Sequence, residues 1–216
     1  MYLCPEKVRR CPRQDRSRAS LDRILHAVER LMAERKGGSL TLADVSDRAG
    51  VSIGSIYLRF GSKRELVRAV QARLLARDQA RQLWLIDKPS HKASSVTELV
   101  DRLIDGLAEA VGAHSELMHT LTICADTDES VQDSARRSHE ALESAFCTAI
   151  ARRSCEIVHP RPEHAASFVF QLSYGALARR YGSTGSRPKY ALDPLEIKSN
   201  LKSVCIMFLL GSDQPL

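Results

Sequence analysis

The sequence predicts an all-α protein built from two groups of helices, and three observations carry that reading. Aromatic residues make up only 5% of the 216, with 11 glycines and 8 prolines. A chain so composed, rich in Ala, Leu, Arg and Glu, favours helix over sheet. Apolar residues return at three- and four-residue steps along most of its length, and no stretch keeps the alternation of a half-buried strand. Charge then separates the two groups: residues 1–66 hold 14 Lys and Arg against 8 Asp and Glu, while residues 67–216 hold 18 of each. All of the formal +6 therefore lies in the first third. A basic part joined to a neutral one is the pattern of a protein that meets a polyanion with one end.

Residues 1–17 carry Lys7, Arg9, Arg10, Arg13 and Arg16 among Cys4, Pro5, Cys11 and Pro12. They show no helical period and are expected to form a flexible basic arm. From 18 to 35, Leu21, Ile24, Leu25, Val28, Leu31 and Met32 define one face of an amphipathic helix, which Gly37-Gly38 ends. Thr41 caps a short helix over 42–49, and Asp44 is placed to complete a capping box; Leu42, Val45 and Ala49 share a side. Gly50 stops it. Ser52 caps a second short helix with Ile53, Ile56 and Phe60, and Gly61 breaks the chain again. Ser62 and Glu65 read as the better of the two capping boxes, opening a long helix through Leu66, Val70, Leu74 and Trp84 to about Ile86. A polar loop is expected at 88–95, followed by helices at 96–112, 114–124, 129–156 and 162–182. A Gly/Ser/Pro loop at 182–189 and a last helix at 194–210 complete an architecture of about nine helices.

The longest apolar run, 204–210, is far too short to span a membrane. The first residues lack the apolar centre of a secretory signal. The chain is accordingly read as soluble and cytoplasmic, with no membrane partner. Six cysteines (Cys4, Cys11, Cys124, Cys147, Cys155 and Cys205) stand apart with no Cys-x-x-Cys pair, so neither a zinc site nor a disulfide framework is expected.

Two short helices joined by a tight glycine turn, braced by a longer helix before them, have the layout that carries the second helix into the DNA major groove. Many helical proteins contain such a layout, and the local residues sharpen it. Thr41 is followed by Ala49-Gly50-Val51-Ser52 and Gly54, then by Tyr57 and Phe60, then by Ser62-Lys63 and Leu66. This segment resembles the DNA-binding domain of the tetracycline-repressor (TetR) family over about residues 18–70. The resemblance implies an arm at 1–17, a helix-turn-helix DNA-binding domain at 18–66 (the motif itself at 41–60), and a helical ligand-binding and dimerisation domain at 67–216. The long fourth helix would join the two domains.

For the residues, the resemblance implies phosphate contacts from Tyr57, Lys63 and Thr41. Lys63 would act from the start of the fourth helix, where the helix dipole also attracts phosphate. Such contacts set register and carry no sequence information. Base reading would fall to Ile53, Gly54, Ser55 and Leu58, with Arg59 touching phosphate or base. Gly54 lets the backbone approach the groove. Ile53 stands where the family pattern often has a polar residue, and its side chain cannot make a bidentate bond to guanine or adenine. Either it meets a thymine methyl, or specificity rests on Arg59 and the arm in the minor groove.

In the second domain the last helix is apolar nearly all round, which suggests burial on every side. Leu201, Val204, Cys205, Phe208 and Leu209 form its stripe, and Ile206, Met207 and Leu210 cover the rest. Before it, Ser173, Gly175, Ala176 and Ala178 permit close helix approach. The resemblance implies a homodimer through these last two helices, with Ala176, Leu201, Val204, Cys205, Phe208 and Leu209 at the interface. It also implies an effector pocket, with candidates Leu103, Leu107, Met118, Leu121, Phe146, Phe168, Leu172 and Tyr174 and with His139 as a further polar anchor. Each of these suits plain core better than a pocket wall. The expected function is a ligand-responsive repressor on a palindromic double-stranded DNA operator, released by an unidentified small molecule.

Two other readings compete. Glu116-x-x-His119 and Glu156-x-x-His159 have the spacing of a di-iron carboxylate bundle, although Pro160 and Pro162 put His159 at a fraying helix end. A helical protein-interaction module is the other, and it leaves the one-sided charge unexplained. No nucleophile–base pair, phosphate loop or paired buried acids can be assembled. No catalytic residue, metal or cofactor is therefore expected.

Overall fold

The computed structural model describes residues 12–35, 40–124, 129–181 and 193–211. Among them every regular element is helical: α1 (Pro12–Arg35), α2 (Leu42–Ala49), α3 (Ile53–Phe60), α4 (Lys63–Ser90), α5 (Val96–Cys124), α6 (Glu129–Ala151), α7 (Pro162–Tyr181) and α8 (Pro194–Leu210), with one 3-10 turn at Ser154–Glu156. No described helix is long and apolar enough to cross a membrane. The chain separates into two compact units, dividing within α4 between Ala72 and Arg73.

The first unit is small, and its core is contributed by the stripes visible in the sequence. From α1 come Ile24, Leu25, Ala27, Val28, Leu31 and Met32, from α2 Val45 and Ala49, from α3 Ile56, and from the start of α4 Leu66 and Val70. Helices of eight residues leave about half of their backbone groups without internal partners, so their ends decide whether they form. Thr41 closes α2 with a full capping box, its hydroxyl accepting from the Asp44 amide while the Asp44 carboxylate accepts from the Thr41 amide at 3.1 Å. Gly50, at φ +61°, turns the chain left-handed and donates to the Ser46 carbonyl. Ser52 caps α3, and Gly61 at φ +69° ends it by donating to Tyr57 O at 2.8 Å.

The second unit gathers a larger core in which Leu99, Leu103, Ile104 and Leu107 of α5 meet Leu142, Phe146 and Ile150 of α6, Val169 and Phe170 of α7, and Leu201, Cys205 and Leu209 of α8. Its helix ends are tied by distant side chains. Glu156 accepts from the Val96 amide at 2.8 Å, and Arg153 donates to the carbonyls of Ala93 and Ser94. Ser94 gives both its amide and its hydroxyl to Glu98, which also accepts from Arg102. These bonds, the Ser94 hydroxyl first, lower the Glu98 pKa from 4.5 to about 2. The carbonyl of Leu209 in α8 accepts from the amides of Val158 and His159.

Several boundaries differ from expectation. The helix expected from 18 begins at Pro12, so residues 12–17 are helical rather than part of an arm; a proline is well tolerated in a first turn. The basic residues of 1–11, the Gly37-Gly38 stop and the 182–189 loop lie outside the described residues. The helices expected at 96–112 and 114–124 are one, because Gly112 sits inside α5 facing the Tyr181 ring instead of breaking it. Conversely α6 stops at Ala151, and Ser154–Glu156 is a separate turn. Helix α4 continues through Pro89 to Ser90. Proline has no amide hydrogen to give to Leu85 O four residues back. That same carbonyl is where a side chain at Gly106 of α5 would collide, at 2.5 Å. Leu75 rather than Leu74 is buried, and Trp84 is exposed beneath the Lys88 ammonium.

Candidate nucleic-acid interface

The turn around Gly50 leaves α3 buried along one line only. Ile56 points into the first unit, and the opposite side of α3 faces solvent. Ile53 is 40% exposed, Tyr57 50% and Leu58 90%, and nothing lies within 4 Å of where a side chain at Gly54 would begin. Lys63 is exposed as the first residue of α4. Neither the Tyr57 hydroxyl nor the Lys63 ammonium has an intramolecular partner among the described residues. Ser62 accepts from the Glu65 amide at 3.1 Å, so Lys63 stands in a capped first turn whose dipole attracts an anion. The box expected there is only half formed, since Glu65 turns to Arg68 and the Ser62 amide donates to Phe60 O.

Three of the expected DNA contacts are held inside the unit. Arg59 donates to the carbonyl of Ser17 at 2.9 Å and to its hydroxyl at 3.2 Å, tying the end of α3 to the start of α1. Its guanidinium is thus engaged in bracing, where the resemblance implied a contact to phosphate or base. The Thr41 hydroxyl donates to Asp44 at 2.6 Å, so its proton is directed at a carboxylate. Ser55 and Ser52 share a hydroxyl–hydroxyl bond of 2.9 Å.

Within the second unit, the effector candidates fall into three groups. Leu103, Leu107, Leu121 and Phe146 are fully buried, and Met118 is half-buried. Phe168 and Leu172 are instead 49% and 37% exposed on the outward face of α7. The sequence spacing placed them on α7 without saying which way that helix faces. Tyr174 and His139, by contrast, meet edge to face at 4.4 Å and border a small cavity with Gln82, His114, Ser138 and Leu142. The space available to water centres there is about 10 Å³, the size of a single water molecule. Burial raises the Tyr174 phenol above its ordinary pKa and keeps it neutral.

Sequence reasoning missed the polar chain beside that cavity. Asp78 accepts from Gln82 at 2.7 Å, His114 Nδ1 stands 2.5 Å from the same carboxylate, and Ser138 donates to Gln82 at 3.3 Å. Asp78, Gln82 and Ser138 are all buried. Asp78 and Gln82 sit four residues apart on α4, a spacing that a surface pair would share, so only packing distinguishes them.

The dimer candidates are also divided. Leu201, Cys205 and Leu209 point into their own protomer's core. The inward line of α8 is thus buried within the protomer, against the core residues of α5 and α7. Val204 and Met207 are 44% and 53% exposed, Ala176 and Phe208 are partly exposed, and Phe208 packs on the exposed Phe168 at 4.8 Å. Burial raises both the Cys205 thiol and the Cys147 thiol, the latter to about 11, which leaves them protonated and slow to react. Glu156 is committed to Val96 and Arg153, and His159 to the Arg161 amide and the Phe208 ring. Glu116 is exposed on α5, and the His119 side chain lies outside the described residues.

Residues 24–70 match the family described as bacterial regulatory proteins, tetR family. Over 71 residues the chain is 39% identical to the HTH-type transcriptional regulator AlkX of Mycobacterium tuberculosis. The match covers 32% of this chain and 34% of that protein, so it spans about a third of the length of this curated relative. Solved structures resemble the fold over far more of the chain. A transcriptional regulator from Cytophaga hutchinsonii matches with a TM-score of 0.59 at 16% identity, covering 88% of this chain and 97% of the other. A regulator of the TetR/AcrR family from Thermobifida fusca matches with a TM-score of 0.58 at 16% identity, covering 90% and 98%.

Proposed function

We propose, from the premise that this chain is a TetR-family transcriptional regulator with a DNA-binding helix-turn-helix, that it is a repressor gripping a palindromic operator as a homodimer and released by a small molecule. The observation that carries the reading is the pairing of Tyr57 and Lys63, exposed and without internal partners, beside a helix whose outer face is free. A phenol hydroxyl and an ammonium so placed suit two phosphates flanking the groove that α3 enters. Domain limits of 18–66 for DNA binding and 67–216 for regulation belong to the same proposal.

Dimerisation is supported by the outward faces of α7 and α8, where Phe168, Leu172, Val204 and Met207 expose apolar surface on neighbouring helices. A second copy covers such a face by twofold symmetry, and twofold symmetry brings two reading helices to half-sites about one helical turn apart. The effector reading is supported by the buried polar chain of Asp78, Gln82, His114 and Ser138, which offers hydrogen bonds beside a cavity. A cavity of one water's size must widen to admit a ligand of the usual size. An effector favouring the widened state weakens operator binding by the factor with which the operator weakens the effector.

Selection from random duplexes with purified protein tests the reading. An inverted repeat with half-site centres about 10 base pairs apart is expected. Lys63→Ala should weaken binding to every sequence alike and reduce the salt slope by about one. Met207→Asp should sediment as a monomer with lost operator affinity. Failure of any duplex to enrich at low salt ends the regulator reading, and a persistent Met207→Asp dimer ends the placement of the interface.

A further inference from the structure

We infer that the operator half-site is read chiefly through thymine 5-methyl groups, met in the major groove by Leu58 and Ile53, and not by bidentate hydrogen bonds to guanine or adenine. The inference rests on α3 being the helix that enters the groove.

Helical geometry, at about 100° per residue, sets Leu58 on the far side of α3 from the buried Ile56, with Gly54 one turn before it on the same face. Leu58 is 90% exposed, and the open space at Gly54 leaves its isobutyl group as the most prominent feature of that face. Ile53, 40% exposed, stands at the first turn of α3, about 140° round the helix from Leu58, where the N-terminal end of the helix carries it.

The polar alternatives are few and engaged. Helix α3 contains no Asn, Gln, Lys, Asp or Glu. Its one cation, Arg59, is held by the carbonyl and hydroxyl of Ser17, and the Ser55 hydroxyl is paired with Ser52. Paired readout of guanine needs Arg or Lys, and that of adenine needs Asn or Gln. None is presented here. A branched aliphatic side chain has one apolar complement on the edges of the base pairs in the major groove, the C5 methyl of thymine. Tyr57, whose single hydroxyl suits a phosphate, does not change that balance.

The test compares the selected operator with the same duplex carrying deoxyuridine in place of each half-site thymine, which removes the methyl and keeps every hydrogen-bonding group. Wild-type full chain should bind about fourfold more weakly for each contacted methyl lost, the factor expected for burial of one such group. Leu58→Ala, a change at an exposed position that leaves folding intact, should bind the thymine duplex more weakly and lose its preference over the deoxyuridine duplex. Duplexes with 7-deazaguanine or 7-deazaadenine, which lack the N7 acceptor, should bind the wild type almost unchanged. Equal affinity for thymine and deoxyuridine duplexes, together with a tenfold or greater loss on the 7-deaza duplexes, overturns the inference and leaves DNA binding standing. Absence of any selected duplex overturns the regulator reading itself.

Discussion

Helices α2 and α3 are eight residues each and finish on glycines with positive φ, whereas α5 runs 29 residues and takes its first-turn bonds partly from Glu156, 60 positions away. The first unit is built from local instructions: a threonine, a serine and two glycines set where its short helices start and stop. The second is built from long-range ones, in which Arg153 and Glu156 stitch the loop before α5 to the turn after α6. The difference matters for function. On the proposed function, a unit that presents one helix face to a rigid duplex needs fixed short elements, and a unit that answers a ligand keeps polar groups inside, where Asp78, Gln82 and Ser138 lie.

The sharpest way to break the long-range unit is Gly106→Val. The added branch would meet the Leu85 carbonyl, which Pro89 leaves without its usual helical donor, at a distance no side chain tolerates. Overpacking of this kind costs about 1–3 kcal/mol, and the melting temperature should fall by roughly 3–10 °C. An unchanged melt would mean that α4 and α5 do not approach there.

The local unit should respond to a smaller cut. Thr41→Ala removes the hydroxyl half of the α2 capping box, leaves the Asp44 carboxylate on the backbone amide of residue 41, and should cost about 1 kcal/mol. Hydrogen exchange should quicken in the first turn of α2, with amides of α6 and α7 unaffected. Equal acceleration across both units would erase the contrast drawn above.

Acid offers the mildest probe. Glu98 has a folded pKa of about 2 against 4.5 unfolded, held down first by the Ser94 hydroxyl, then by its amide and by Arg102; Glu156 is lowered chiefly by Arg153. A depressed carboxylate contributes its full stabilisation above the unfolded value and loses it as pH falls toward the folded one. The second unit should therefore weaken between about pH 4.5 and 2, and Ser94→Ala should flatten that limb of a pH-dependent denaturant series. An identical slope in both proteins would remove Ser94 from the account.

The same contrast explains what could be read from the residues. The stop at Gly50 and the start at Thr41 were legible because a left-handed residue and a short polar cap have few other uses. The apolar stripe of α1 was legible because one face of a helix is a local property. Direction was not legible. Leu201, Cys205 and Leu209 turn inward and Val204 and Met207 outward, but on a helix apolar all round the sequence holds no sign of which is which. The outward direction of Phe168 and Leu172 on α7 was hidden for the same reason. Arg59 was beyond reach because its partner, Ser17, lies 42 positions earlier in a stretch with no apolar period to mark it as helix. Glu156 suggested a metal ligand only while its role as a distant cap was invisible.

A leucine that touches almost nothing is one that folding has no hold on. Residue 58 is an interchangeable part: Asn, Gln or Arg there would be carried by the same α2–turn–α3 frame at little cost in stability. If Leu58 meets the bases as proposed, the chain could be redirected to a new DNA sequence by drift or by design at a single codon, without relearning how to fold.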